Sequence, residues 1–141
     1  MEKKSTGELS QELMDQPNLD AYIHANQEFF QESNITNLQS QLHDQKAISK
    51  AELARRAGIS EVYIHQVFSG RRKPTRDRLV CICFGLQATL EETQELLKRA
   101  GYAQLYPKNK REAIIAHGII HRTPLEGINE RLFVENEKTL F

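Results

Sequence analysis

No stretch of this chain is apolar for the length a membrane-spanning helix needs. Its polar start, MEKKSTGELSQELMDQ, does not read as a secretory leader, so a cytoplasmic location is expected. Net charge is also missing: 19 Lys and Arg balance 19 Asp and Glu. That balance argues against a general polyanion binder and shifts attention to how charge is distributed. There are only 2 cysteines, Cys81 and Cys83. On a helix, side chains at i and i+2 point apart, which rules out a mutual disulfide or a two-ligand clamp there. They are expected to be small, buried, reduced side chains. There is no HExxH, no CxxC, no Gly-rich phosphate loop, and no nucleophile beside a base and an orienting partner. His117 and His121 stand four apart on one helix face, but no third ligand beyond Glu126 suggests itself. The expectation is a protein without catalytic residues, metal or cofactor.

What is present suits a globular helical protein. A chain of 141 residues, 39% of them apolar, can bury a core without disulfide or metal staples. Charge is segregated along it. Residues 1–49 carry 3 Lys/Arg and 8 acids, a net of −5, whereas residues 50–78 carry 8 Lys/Arg and 3 acids, a net of +5. The remainder is neutral. A local positive excess on a neutral protein is the footprint of a phosphate-contacting patch.

That excess coincides with the most informative stretch, SKAELARRAGISEVYIHQVFSGRRKP, residues 49–74. It reads as two short helices, about 50–57 and 60–69, joined by a tight turn at Gly58-Ile59. The small Ala54 permits a close crossing, and Gly58 is suited to the positive φ that turns the chain. Ile59, Ile64 and Val67 pin the second helix, leaving its other face exposed. The basic run Arg71-Arg72-Lys73 follows, and Pro74 closes the unit.

Leu53-Ala54, Ala57-Gly58, Ile59-Ser60, Ile64, Val67, Gly70 and Pro74 resemble, in register, the helix-turn-helix family of Cro proteins and phage repressors (XRE-like). The resemblance covers about a third of the chain. It implies an all-α protein with a five-helix repressor-like domain whose second motif helix lies in the major groove of double-stranded DNA. Carried over by position, the base readers are Glu61, Val62 and Gln66, with Tyr63 and His65 flanking them. Ser60 and Ser69 fall where phosphate contacts lie, and Lys50 opens the first motif helix. Gln66 suits a bidentate bond to adenine and Val62 a thymine methyl. Glu61 replaces the Gln or basic residue more often found there; a carboxylate accepts from cytosine N4 but repels phosphate. Arg71, Arg72, Lys73 and Arg76 are expected to neutralise phosphates. Arg78, Arg55 and Arg56 stand apart from these, and Arg55 or Arg56 suits a helix-surface ion pair.

Three regions are expected: an acidic helical arm over 1–32, the helix-turn-helix domain over 33–101, and a helical hairpin extension over 102–141. Residues 1–8 read as frayed. Leu9, Leu13 and Met14 allow one helical turn, stopped by Pro17. Leu19, Ile23, Asn26, Phe29 and Phe30 form one face of a helix reaching Phe30, which either packs on the main domain or meets a partner subunit. Capping boxes are expected at Ser49-x-x-Glu52, Thr89-x-x-Glu92 and Thr123-x-x-Glu126, the last with Pro124 at the first helical position. Helices are expected at about 35–47, after Thr75, after Thr89 with Gly101 ending it, over 110–121, and from Pro124 to about 135. Leu140-Phe141 is a short apolar tail.

An internal echo links the last four helices. Shifted by 35 residues, RDRLVCICFGLQATLEETQELLKRAG falls on REAIIAHGIIHRTPLEGINERLFVEN, with Arg76 on Arg111, Leu90 on Leu125, Glu91 on Glu126, Glu95 on Glu130 and Leu97 on Leu132. The period is near that of tetratricopeptide repeats, but their Trp, Gly and Tyr signature is missing, and two copies make no solenoid. Two stacked helical hairpins are expected. The function these observations point to is a sequence-specific DNA-binding transcriptional regulator, a repressor-type homodimer on a palindromic site. Either the arm or the hairpins would serve a protein partner. The alternative is an adaptor or antitoxin-like interaction module on the same fold; a third reading is a small-molecule sensor, with room for a pocket in the second half but no polar constellation that marks one.

Overall fold

The structure is a computed structural model that describes residues 4–26 and 35–141. Among the described residues all regular structure is helical, and the fold is all-α. The helices are α1 (Thr6–Asp15), α2 (Leu19–Ala25), α3 (Ile35–Lys46), α4 (Lys50–Ala57), α5 (Glu61–Phe68), α6 (Arg76–Leu86), α7 (Leu90–Arg99), α8 (Lys110–Ile120) and α9 (Leu125–Val134). They fall into two compact units, residues 1–34 and 35–141.

In the first unit, α1 is longer than the single turn expected, because Ser5 accepts from the Glu8 amide and caps it. The two helices are tied by polar bonds. Lys4 Nζ donates to Glu12 Oε2 (2.6 Å) and Asn26 Oδ1 (2.8 Å), and Asn26 Nδ2 donates to Glu12 Oε1 (3.0 Å). Asn26, expected on an apolar face, is instead the buried hub of this network, while Leu13, Met14, Leu19 and Ile23 are exposed. The expected extension to Phe30, with Phe29 and Phe30, lies outside the described residues, as does the 32/33 boundary.

The second unit shares one core. Leu53, Ile64, Leu79, Ile82, Leu86, Leu96, Leu97, Ile115 and Leu132 are all essentially inaccessible, and a single apolar cluster reaches from Leu42 to Leu140. The boundary expected at 101/102 is therefore not a break in the fold. Each helix start has a local cause. Ser49, Ser60, Thr75, Thr89 and Asn109 accept from amides three residues on. Only Thr89 and Glu92 complete the reciprocal box. Glu52 turns instead to Arg55 and Arg56, whose guanidiniums hold its carboxyl down at about 2. Thr123 makes no cap, since α9 begins after Pro124 and the Thr123 amide is already bonded to Gly118 O at 2.9 Å. The tightest crossing of α4 is on α6. A Cβ on Gly85 would meet Leu53 Cδ1 at 2.6 Å and the Leu53 carbonyl at 3.1 Å.

The 35-residue echo is a structural repeat. Gln87 and Arg122 both take φ 54 at the hairpin turns, and Gly101 and Asn136 take φ 80 and 58 at the hairpin ends. Arg76 Nε donates to Ala103 O (2.9 Å), as Arg111 Nε does to Lys138 O (2.7 Å). Gln94 Oε1 accepts from the Leu105 amide and Asn129 Oδ1 from the Leu140 amide, both at 2.7 Å. Leu105 and Leu140 are both buried, so the tail expected at Leu140 is docked, with the Phe141 ring against Gly58. The hairpins join through crossed ion pairs at the first turns of α6 and α8. Arg76 Nη1 lies 2.6 Å from Glu112, and Arg111 Nη2 lies 3.1 Å from Asp77. Two equivalent Arg residues, each bound to the other copy's acid, describe a pseudo-two-fold relation, which closes on itself.

The copies differ where they trade volume. In the first hairpin the buried Cys83 and Thr93 are neighbours, and the Thr93 hydroxyl donates to Thr89 O at 2.9 Å. Their counterparts in the second are Gly118 and Ile128, and a Cβ on Gly118 would sit 2.0 Å from Ile128 Cδ1. Burial pushes both thiols up, Cys81 and Cys83 each to about 12, so they stay protonated.

Two predictions follow from this packing. Gly118→Cys should destabilise the fold by about 1–3 kcal/mol through overpacking. Adding Ile128→Thr, which copies the first hairpin, should restore most of that loss in urea titrations. The second prediction concerns acid. Burial works to raise Glu112, but the Arg76 bond and the Tyr106 amide outweigh it, so its carboxyl lies below the usual 4.5. The folded state thus binds this proton less readily than the unfolded chain. Stability from the pair is complete above about pH 4.5 and is lost as pH falls through the lower folded-state value. Thermal melts of Glu112→Gln should show a lower midpoint at neutral pH and a flatter acid limb.

Candidate nucleic-acid interface

Helix α5 presents two unlike faces. Tyr63, Ile64, Val67 and Phe68 are buried, which fixes the rotation of the helix on the core. Glu61, Val62 and His65 point outward and Gln66 is half-buried. Val62 is 67% exposed, an apolar side chain offered to solvent in the middle of a polar surface. Glu61 lies 3.4 Å from His65 Nε2, so the two flank Val62 as a loose pair. The side-chain amide of Gln66 has no partner among the described residues. The Gln66 backbone carbonyl accepts from Arg71 N (2.9 Å), Arg72 N (3.2 Å) and Ser69 Oγ (3.1 Å). That triple bond set, with Gly70 at φ 80, folds the basic loop back beside the exposed face.

The 8 cations of residues 50–78 divide into two groups. Arg55 and Arg56 share Glu52, and Arg76 is bound to Glu112 and to the Ala103 and Gln104 carbonyls. Lys50, Arg71, Arg72, Lys73 and Arg78 have no acidic partner among the described residues. Four of these rest on aromatic rings. Arg72 and Arg78 lie 5.1 and 4.5 Å from the Tyr63 centroid, Lys73 lies 4.7 Å from Tyr102, and Lys50 lies 5.9 Å from Phe68. A ring contact of this kind contributes about 0.5–1 kcal/mol at an exposed site and leaves the charge uncompensated. The rings are themselves held. Tyr63 is buried, and the Tyr102 hydroxyl donates to Pro74 O at 2.6 Å. The result is a set of positioned cations that lack counter-charges.

In the structure Glu61, Val62, His65, Arg71, Arg72 and Lys73 are exposed and Lys50 and Gln66 half-buried, and three further residues stand differently from expectation. Tyr63, expected to flank the base readers, is buried and serves as the seat for Arg72 and Arg78. Arg76, expected to neutralise a phosphate, instead spends its charge on Glu112 and three of its N–H donors within the fold. Ser69 has given its hydroxyl proton to Gln66 O and has none for a phosphate. Ser60 accepts from the Tyr63 amide and keeps its own donor. Arg78 joins the group, a residue to which the sequence lent little weight. Arg55 and Arg56 form the expected surface ion pair.

Elsewhere, His117 and His121 stack with centroids 4.2 Å apart. Among the described residues no three His, Cys, Asp or Glu gather as a metal would require, and no helix is long and apolar enough to cross a membrane.

The ring seats have a direct spectroscopic consequence. Arg72 and Arg78 side-chain protons should resonate upfield through the Tyr63 ring current, and Tyr63→Leu should return both to ordinary positions while the melting temperature falls only modestly.

A family model described as a helix-turn-helix domain matches residues 41–96, from within α3 to within α7. No curated protein and no solved structure matches the chain. Residues 41–96, whose geometry is described above, are thus similar to a helix-turn-helix domain.

Proposed function

We propose that this protein is a sequence-specific DNA-binding transcriptional regulator that acts as a repressor-type homodimer. The observation that carries the reading is the set of five cations without acidic partners beside the outward face of α5. Val62 and Gln66 supply an apolar contact and a bidentate amide for base edges. The cations supply phosphate contacts that set position and register. One recognition helix reads too few base pairs for specificity, so two copies on a palindrome are required. The 75% exposed Phe133 and 66% exposed Val134 on α9 suit the contact between copies.

The same exposed pair supports a second reading, an adaptor or antitoxin-like module that binds another protein. A stoichiometric partner retained in the absence of DNA would favour it.

Measured over a range of salt, DNA affinity should fall with a slope of about −0.9 per phosphate neutralised. Arg72→Ala and Lys73→Ala should each reduce that slope by about 1. Arg76→Ala should leave the slope unchanged and lower the melting temperature instead. Gln66→Ala should relax discrimination at one base position by about 1–3 kcal/mol. A slope indifferent to Arg72 and Lys73 would count against the reading.

A further inference from the structure

The pseudo-two-fold relation has two ends. At one lie the crossed ion pairs of α6 and α8. At the other, three pairs of equivalent residues line a single cleft of about 420 Å³: Phe84 with Ile119, Gln87 with Arg122, and Ala88 with Thr123. Helix α4 adds Arg55 and Arg56 to its wall, and Glu126 completes the rim. The volume lies within the range of small-molecule sites, about 300–1,000 Å³. The lining is of two kinds. Phe84, Ile119 and Leu125 are its apolar lining, and Arg55, Arg56 and Arg122 are the cations of its wall.

The charge balance narrows the ligand class. Arg55 and Arg56 are bonded to Glu52, and Glu126 acts on Arg55. Three guanidiniums against two carboxylates leave one positive charge, and Arg122 has no acidic partner among the described residues. Arg122 also occupies a left-handed position, φ 54, where Gly is the residue the backbone favours. We infer that this cleft binds a small organic monoanion, with its carboxylate on Arg122 and its apolar body against Phe84, Ile119 and Leu125. Because α4 forms one wall, the ligand touches the helix-turn-helix motif from the side away from its core. The inference concerns binding to the protein itself and does not depend on the DNA reading.

The test is an NMR titration of the full chain with benzoate, with benzyl alcohol and inorganic phosphate as controls. Benzoate should give saturable amide shifts at Phe84, Gln87, Ile119 and Leu125. Benzyl alcohol, which lacks the charge, and phosphate, which lacks the apolar body, should each bind about tenfold or more weakly. Arg122→Gln copies the equivalent Gln87 and should weaken benzoate by about tenfold or more without lowering the melting temperature. Arg122→Gly suits the left-handed backbone and provides the same comparison if the first variant is unstable. The inference is overturned by any of four outcomes: no saturable shifts, equal binding of benzyl alcohol or phosphate, benzoate affinity indifferent to both Arg122 variants, or shifts confined to Arg71–Lys73.

Discussion

The crossed pairing of Arg76 with Glu112 and Arg111 with Asp77 is the interaction on which most of the second unit depends. Each acid sits in the first turn of its own helix, where the backbone dipole already favours negative charge. Each arginine also gathers two carbonyls from the segment that follows its hairpin, Ala103 and Gln104 in one case, Lys138 and Thr139 in the other. One guanidinium therefore fixes a helix start, a neighbouring hairpin and a returning strand of coil at once. These groups are partly shielded from water, with side-chain exposures of 13–26%, so the pairs count for more than surface ion pairs do. Because the arrangement is reciprocal, it closes on itself.

The same pairing decides which charges remain for a partner. By binding Arg76 within the fold, the structure withdraws a cation that lies close to the basic loop in sequence. The cations that stay available are Arg71 and the four placed over Tyr63, Phe68 and Tyr102. A carboxylate would position a guanidinium equally well, but it would cancel the field that attracts phosphate. An aromatic face restrains the cation and leaves that field intact. The division of labour between carboxylate-bound and ring-bound cations links the core of the fold to its proposed role.

The motif helices were legible from local signals. Ser49, Ser60, Thr75 and Thr89 mark starts, and Gly58 and Gly101 mark ends, each through chemistry confined to a few residues. The repeat was legible as a pattern, since Arg76/Arg111 and Leu90/Leu125 stand at constant offset. What was not legible depended on contacts across long separations. Arg76 and Arg78 are two residues apart in one basic run, yet one faces Glu112 and the other Tyr63. No periodicity distinguishes them. Tyr63 reads as part of an exposed face only until the rotation of α5 is known. The apparent capping boxes at Ser49 and Thr123 failed because a nearby group competed, Arg55 and Arg56 for Glu52, and Gly118 O for the Thr123 amide.

On the proposed reading, the outward face of α5, flanked by ring-held cations, contacts DNA as one half of a symmetric pair. Selection of bound sequences from a random pool of double-stranded DNA tests it most directly. An enriched palindrome is expected, with half-sites one helical turn, about 34–36 Å, or a multiple of it apart. A pool that shows no enrichment after repeated selection would contradict it.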